Sequence, residues 1–189
     1  MVVAASALIG ARLLSSPPDP QAAAPPPPGA GPAMLAGRAP DISNLTPRQR
    51  FDRLYQRVMD AAGTGDTGTV LTFTRHAITA YAQLDSVDAD ARYHLAILYA
   101  QVGEFPPALA LADSILMIAP SHLLGLLALG TVAELAGDRV SLERIRARFL
   151  NAWDAERQHG RAEYLDHPDV LEDFRRAAIA AGPPAPDRR

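Results

Sequence analysis

A spacing of 34 residues between two related segments is the feature that most constrains this fold. The first segment, ARYHLAILYAQVGE, starts at Ala91, and its weaker echo, LLALGTVAELAGD, begins at Leu126, which corresponds to Arg92. The matched pairs are Leu95 with Leu129, Ala96 with Gly130, Val102 with Ala136, Gly103 with Gly137 and Glu104 with Asp138. Self-similarity at this period is typical of stacked helical hairpins, whose surfaces usually hold other molecules.

The composition excludes several classes of chemistry. The 189 residues carry a formal net charge of -3, and all 18 basic residues are arginine. Without lysine there is no Schiff-base lysine, lysine base or phosphate-loop lysine. Without cysteine there is no disulfide, thiolate nucleophile or thiolate metal site. The acidic balance also gives no reason to expect nucleic acid as a partner.

The N-terminal residues are apolar and predict contact with a membrane. The stretch from Val2 to Leu14 is interrupted only by Ser6, Gly10 and Arg12. As a helix it reaches about 20 Å, which is less than the ~30 Å hydrocarbon layer. Residues 1–14 are therefore interpreted as a signal-like segment, an interfacial anchor or a truncated transmembrane helix, with a disordered apolar tail as the remaining alternative. Residues 15–45 are rich in Pro, Ala and Gly and predict an extended linker.

Start signals for helices follow the linker. Thr46, Pro47 and Gln49 supply an N-cap hydroxyl, a proline for the first helical position and the glutamine of a capping box. Asp66 and Asp88 precede the next two helical patterns and predict their N-caps. Apolar residues at helical spacing then predict three antiparallel hairpins within residues 46–159. Sustained strand alternation is missing from the sequence, so the prediction is all-α.

Glycines and proline separate the later helices. Gly103 and Gly137 predict the turns inside the second and third hairpins, and Ser121 predicts the N-cap of the helix that opens the third. Pro168 predicts the start of a last helix. We interpret residues 160–182 as a capping helix region, because a final helix commonly covers the edge of such an array, and residues 183–189 as a tail.

The middle of the chain resembles a tetratricopeptide repeat. The matching positions between Ala89 and His122 are Leu95, Ala96 and Tyr99 in the first helix, Gly103 at the turn, Phe105 and Ala108 in the second helix, and Pro120 at the close. The next repeat has Ala133 where tyrosine is expected, and the preceding hairpin diverges further. The resemblance implies a short right-handed solenoid of about seven helices.

The resemblance also implies a binding surface. In this family the first helices of successive hairpins line a concave groove that holds a peptide or a folded partner. The corresponding positions, expected to be exposed, are Arg53, Arg57, Tyr93, Ile97, Gln101, Leu127, Thr131 and Glu134. The segment from Leu123 to Ala136 is apolar nearly all round, so we expect flanking hairpins and the C-terminal helix to cover it. The alternative is a surface that faces a partner.

Patterns typical of catalysis or cofactor binding are weak. The glycines at 63, 65 and 68 satisfy GxGxxG, but they follow an amphipathic helix, so we interpret them as a hairpin turn. The five histidines are His76, His94, His122, His159 and His167, and no HExxH occurs. The acids around His167 are interpreted as helix caps and first-turn charges. We therefore predict no catalytic residue, cofactor, metal ligand or small-molecule substrate.

These patterns favour a non-enzymatic scaffold for protein interactions, tethered to a membrane by residues 1–14. Its most concrete form is an accessory or assembly subunit of a membrane protein complex. The alternative is a soluble cytoplasmic adaptor or regulatory domain of the tetratricopeptide type. Arginines after the apolar segment favour a cytoplasmic location. The combination of leader and spacer favours the periplasm, which is the location we expect.

Overall fold

The computed structural model describes residues 45–182, which are all-α and form seven helices packed in sequential pairs. A short 3₁₀ turn, Ala162–Tyr164, precedes the last helix. The helices are α1 (Pro47–Thr64), α2 (Thr67–Tyr81), α3 (Ala89–Gln101), α4 (Phe105–Ile118), α5 (Leu123–Leu135), α6 (Arg139–His159) and α7 (Pro168–Ala181). The predictions for residues 1–14, for the tail and for nearly all of the linker lie outside the described residues.

Most of the predicted helix starts are confirmed. The backbone N–H of Gln49 donates to Thr46 Oγ1 at 3.2 Å, and the Gln49 side chain accepts from the Thr46 N–H at 3.1 Å. This pair is the expected capping box. Asp66 and Asp88 cap α2 and α3 through their carboxylates. Gly65 ends α1 with a φ of 75°, a left-handed conformation that glycine adopts easily, so the glycine-rich motif is a hairpin turn.

The predicted N-cap at Ser121 is wrong by one residue. His122 caps α5, and its Nδ1 accepts from the N–H of Leu124 at 3.3 Å. The Ser121 hydroxyl instead donates to Glu156 Oε1 at 2.5 Å. The carboxylate of Glu156 is 1% exposed. An unpaired charge in a buried site costs more free energy than an unpaired N–H at an accessible helix end, so the Ser121 hydroxyl pairs with Glu156.

Helix α5 is covered on several sides, as its apolar sequence predicts. It packs against α3, α4, α6 and α7. Two glycines allow the closest approaches: a Cβ at Gly125 would lie 2.8 Å from Leu116 Cδ2, and one at Gly130 would lie 2.6 Å from Phe174 Cε2. The C-terminal helix therefore contributes to the covering of α5.

Helix α3 lies between two hydrophobic clusters and contributes buried residues to both. Tyr93 and Ile97 belong to the cluster that continues through α4 to α7. Leu95 and Leu98 belong to the cluster shared with α1 and α2. Within residues 45–182, no helix combines the length and the apolar character needed to cross a bilayer.

Candidate functional site

The eight residues predicted to line an inner groove differ in exposure. Arg53, Arg57 and Glu134 are exposed, Gln101 and Thr131 are half-buried, and Tyr93, Ile97 and Leu127 are buried at 3%, 4% and 2% exposure. The expectation that the last three are exposed is therefore wrong. A role for any of the eight in binding a partner stays a prediction.

The chain's own C-terminal segment, residues 160–182, covers part of this predicted inner face. The ring of His167 lies edge-on to Tyr93, with centroids 5.1 Å apart. The Tyr164 hydroxyl accepts from the N–H of Leu123 at 3.0 Å, at the start of α5. Leu171 and Phe174 of α7 are buried in the same cluster as Leu127. Side chains of the C-terminal segment thus pack beside Tyr93 and in the cluster that contains Leu127.

A different concave surface lies between α2 and α3 and remains open. We call it the α2–α3 groove; it has a volume of about 280 Å³. Its lining consists of Leu71, Thr74, Arg75 and Ile78 from α2 with Tyr99, Val102 and Glu104 from α3 and its following turn. Leu71 is 52% exposed although it is a large apolar side chain. The groove therefore combines apolar walls with one cation and one anion.

A buried hydroxyl in the α2–α3 groove lacks a partner. Thr74 is 2% exposed, and its Oγ1 makes no hydrogen bond within the described part of the chain. Most buried polar side chains are hydrogen-bonded, because an unpaired hydroxyl costs about 1–3 kcal/mol. The Thr74 hydroxyl is itself inaccessible, so it lies beneath the wall of the groove rather than at its surface.

A second candidate site joins α3 to the start of α7. We call it the aspartate–histidine cluster, and its members are Asp90, His94 and His167. Asp90 and His94 are one helical turn apart on α3, so their side chains share a face. His167 Nε2 lies 2.5 Å from Asp90 Oδ1, and His94 Nε2 lies 3.6 Å from the same oxygen. All three side chains are nearly or fully buried.

Helix α1 closes the other side of this cluster. Arg48 pairs with Asp52 through Nε at 2.9 Å, with Asp88 through Nη1 at 2.9 Å, and with Asp90 Oδ2 through Nη2. His94 Nδ1 lies 3.6 Å from Asp52 Oδ1. One arginine therefore bridges three carboxylates, two of which, Asp52 and Asp90, lie beside the imidazoles.

His94 is held by stacking and makes no hydrogen bond with the described residues. Its ring stacks on Tyr55 with centroids 3.9 Å apart and an interplanar angle of 16°. Neither ring nitrogen has a hydrogen-bond partner among these residues, although the side chain is only 9% exposed. The orientation of the imidazole is thus fixed by aromatic neighbours, while both nitrogens face carboxylates at 3.6 Å.

The cluster shifts the pKa values of its neighbours. Burial alone raises the pKa of Asp90. The hydrogen bond from His167 and the positive charges of His94, His167 and Arg48 lower this pKa by more than burial raises it, so the net pKa is below its ordinary value. Burial, together with the negative charge of Asp90, raises the pKa of Tyr55 and of Tyr93. Asp90 is therefore an anion and both tyrosines are neutral at neutral pH.

Another buried polar cluster, around Glu156, fastens the turn before α5 to the end of α6. Glu156 accepts from Ser121 at 2.5 Å, from Tyr164 at 2.7 Å and from Arg161 at 2.9 Å. Burial alone raises the pKa of Glu156, but these three hydrogen bonds outweigh it and lower the pKa to about 2. Every oxygen of this carboxylate is satisfied, so we assign the cluster a structural role.

Sequence reasoning missed both candidate sites for identifiable reasons. The spacing of Asp90 and His94 was a local signal for a ligand pair, since residues four apart share a helix face. His167 is 77 residues from Asp90, and no local pattern connects them. The helix cap expected from the acids around His167 is wrong, because α7 has no side-chain cap hydrogen bond, whereas Asp169 lies in its first turn as expected. The His167 side chain contacts Asp90. The α2–α3 groove depends on how two helices pack, which spacing does not specify.

No protein-family model, curated protein or solved structure matches this chain.

Proposed function

We propose that this protein is a non-enzymatic interaction scaffold of the tetratricopeptide type, with hairpins that continue as a short right-handed solenoid. Its binding surface is the α2–α3 groove rather than the inner face. Residues 1–14 supply membrane contact and residues 15–45 the spacer, so the partner is a subunit of a membrane protein complex. A periplasmic location of the helical domain remains part of the proposal.

The open α2–α3 groove, with Leu71 52% exposed on its apolar wall and one charge of each sign in its lining, is the observation that carries this proposal. An apolar side chain of a protein segment can pack on Leu71 and Ile78, which removes their exposed apolar surface from water.

The charges favour a protein segment over a lipid surface. Arg75 and Glu104 line the same groove and offer one ion-pair partner of each sign. Anionic membranes attract surfaces with several Lys or Arg residues, whereas this groove carries no excess of positive charge. The occupant we propose is therefore an amphipathic helix or extended segment with one apolar anchor and charges of both signs at its edges.

Variants of the full chain test the docking surface by affinity capture from native membranes. Leu71→Arg places a charge against the apolar wall, and Leu165→Arg is the matched control, since Leu165 is 74% exposed and lies outside the groove. We expect the main co-purifying protein to decrease at least tenfold with Leu71→Arg and to stay unchanged with Leu165→Arg. Quantitative mass spectrometry of the captured proteins gives this comparison.

Thr74→Val separates binding from stability. The change removes the unpaired hydroxyl at nearly constant shape, so we expect equal or higher resistance to urea, by up to about 1 kcal/mol, with capture unchanged because the hydroxyl is inaccessible. Capture that is the same for wild type and Leu71→Arg would overturn the groove proposal. Vesicles of phosphatidylcholine and phosphatidylglycerol form a further arm. If Leu71→Arg alters vesicle binding and not protein capture, the groove contacts lipid and the proposal is wrong.

A further inference from the structure

We propose that the aspartate–histidine cluster binds one divalent transition-metal ion, for which zinc is the probe. The ligands are Asp90 Oδ1, His94 Nε2 and His167 Nε2. One ligand atom from each of these residues lies within 4.8 Å of the others. Two ligands come from one face of α3 and the third from the residue before α7. This inference does not depend on the docking surface, which lies at a different groove.

The free nitrogens of His94 point to a ligand. A buried imidazole normally donates from one nitrogen and accepts at the other, yet neither nitrogen of His94 does so within the described residues. Stacking on Tyr55 keeps the ring plane fixed with Nε2 toward Asp90. A metal ion between these two residues uses the free Nε2 without turning the ring.

A carboxylate lies near the second ring nitrogen of His94, Nδ1. Ligating histidines commonly donate their second N–H to a carboxylate, which fixes the tautomer. Asp52 Oδ1 lies 3.6 Å from His94 Nδ1, and Arg48 Nε pairs with the same oxygen at 2.9 Å. Asp52 is therefore placed as the orienting carboxylate behind a ligand.

The local charge suits a dication. Asp52, Asp88 and Asp90 contribute three negative charges, Arg48 contributes one positive charge, and the two ligand histidines are neutral when they coordinate. Arg48 contacts Asp90 at Oδ2, so Oδ1 remains directed at the imidazoles. A divalent ion balances the two remaining negative charges.

The ligand set selects the class of ion. Two imidazoles and one carboxylate suit zinc and related first-row metals, whereas magnesium and calcium prefer oxygen ligands alone. His167 Nε2 and Asp90 Oδ1 are now 2.5 Å apart, the length of a hydrogen bond. Tetrahedral ligands about 2.0–2.1 Å from zinc are roughly 3.3 Å from each other. Binding of the ion therefore requires His167 Nε2 to move away from Asp90 Oδ1 by slightly less than ~1 Å.

Calorimetric titration of zinc into the tag-free, metal-stripped full chain in mild detergent tests the site. We expect one equivalent to bind, with affinity reduced at least tenfold in His94→Gln and in His167→Gln. His76→Gln is the matched control, because His76 is exposed on α2 and lies outside the cluster. Zinc binding that is equal in wild type and the double variant His94→Gln/His167→Gln overturns the proposal, and so does a wild type that takes up no zinc.

A measurement on the wild type covers the case in which a variant fails to fold. Histidine-ring ¹⁵N spectra of the full chain distinguish metal-bound from free nitrogens. We expect one equivalent of zinc to shift the Nε2 signals of His94 and His167 and to leave those of His76, His122 and His159 in place. Shifts confined to the other three histidines would assign the metal elsewhere and overturn the site.

Discussion

Glu156 is an ionised side chain held inside the helical array by three donors. Burial opposes its charge, yet Ser121, Tyr164 and Arg161 hold its pKa at about 2, below the ordinary value of 4.5. Because the folded pKa is depressed, the carboxylate stabilises the fold fully above about pH 4.5, and this stabilisation is lost as the pH falls toward 2. At 1.36 kcal/mol per pKa unit the contribution is on the order of 3 kcal/mol.

Glu156→Gln tests this contribution through the pH dependence of stability. We expect the free energy of unfolding to fall between about pH 6 and pH 2.5 in both proteins, and to fall by on the order of 3 kcal/mol less in the variant. Asp66 and Asp138 also have lowered pKa values, through hydrogen bonds at helix N-caps, and they contribute equally to both curves. Urea denaturation at several pH values gives the measurement, and parallel curves would contradict the role of Glu156.

Helix α5 and helix α7 approach closely because α5 has no side chain at residue 130. Phe174 packs against Gly130, and Phe149 lies behind the Phe174 ring with centroids 4.9 Å apart. The ring therefore has little room to retreat. Gly130 belongs to the 34-residue echo, and its place in the structure gives that small residue a packing reason.

Gly130→Ala and Gly63→Ala compare the same substitution in two helices. An added Cβ at Gly130 meets Phe174, so we expect a loss of about 1–3 kcal/mol despite the better helix propensity of alanine. At Gly63, in α1, nothing lies within 4 Å, so we expect a gain of about 0.5–1 kcal/mol. Urea midpoints of the full chain measure both. A gain at Gly130 equal to that at Gly63 would contradict the packing of α7 on α5.

The elements that the sequence predicts best are those with local signals. Helix starts at Thr46, Asp66 and Asp88 follow from capping chemistry within one turn, and the structure confirms them. The covering of Tyr93 by the C-terminal segment depends on contacts between residues far apart in the chain. Helical spacing indicates which face of a helix is apolar, but it does not indicate which later segment packs there. The aspartate–histidine cluster required the same long-range information.

At the scale of the whole molecule, α3 connects two regions that differ in how many helices pack against them. Helices α1 and α2 pack on each other and on α3 around one buried cluster. Helix α5 is covered by α3, α4, α6 and α7 around the larger cluster. A helix pair with packed neighbours on one side loses fewer contacts when it opens, so it opens with a lower free energy.

Amide hydrogen exchange of the full chain tests this difference. We expect α1 and α2 to open with a lower free energy than α5, because α5 has packed neighbours on more sides and must unfold with them. Gly130→Ala supplies the internal check, since its effect lies at the contact of α5 with α7. That variant is expected to lower protection in α5 and α7 while leaving the exchange of α1 and α2 unchanged. Equal opening free energies in all seven described helices, lowered together by Gly130→Ala, would instead show one cooperative unit, in which the cluster around α3 couples both ends of the array.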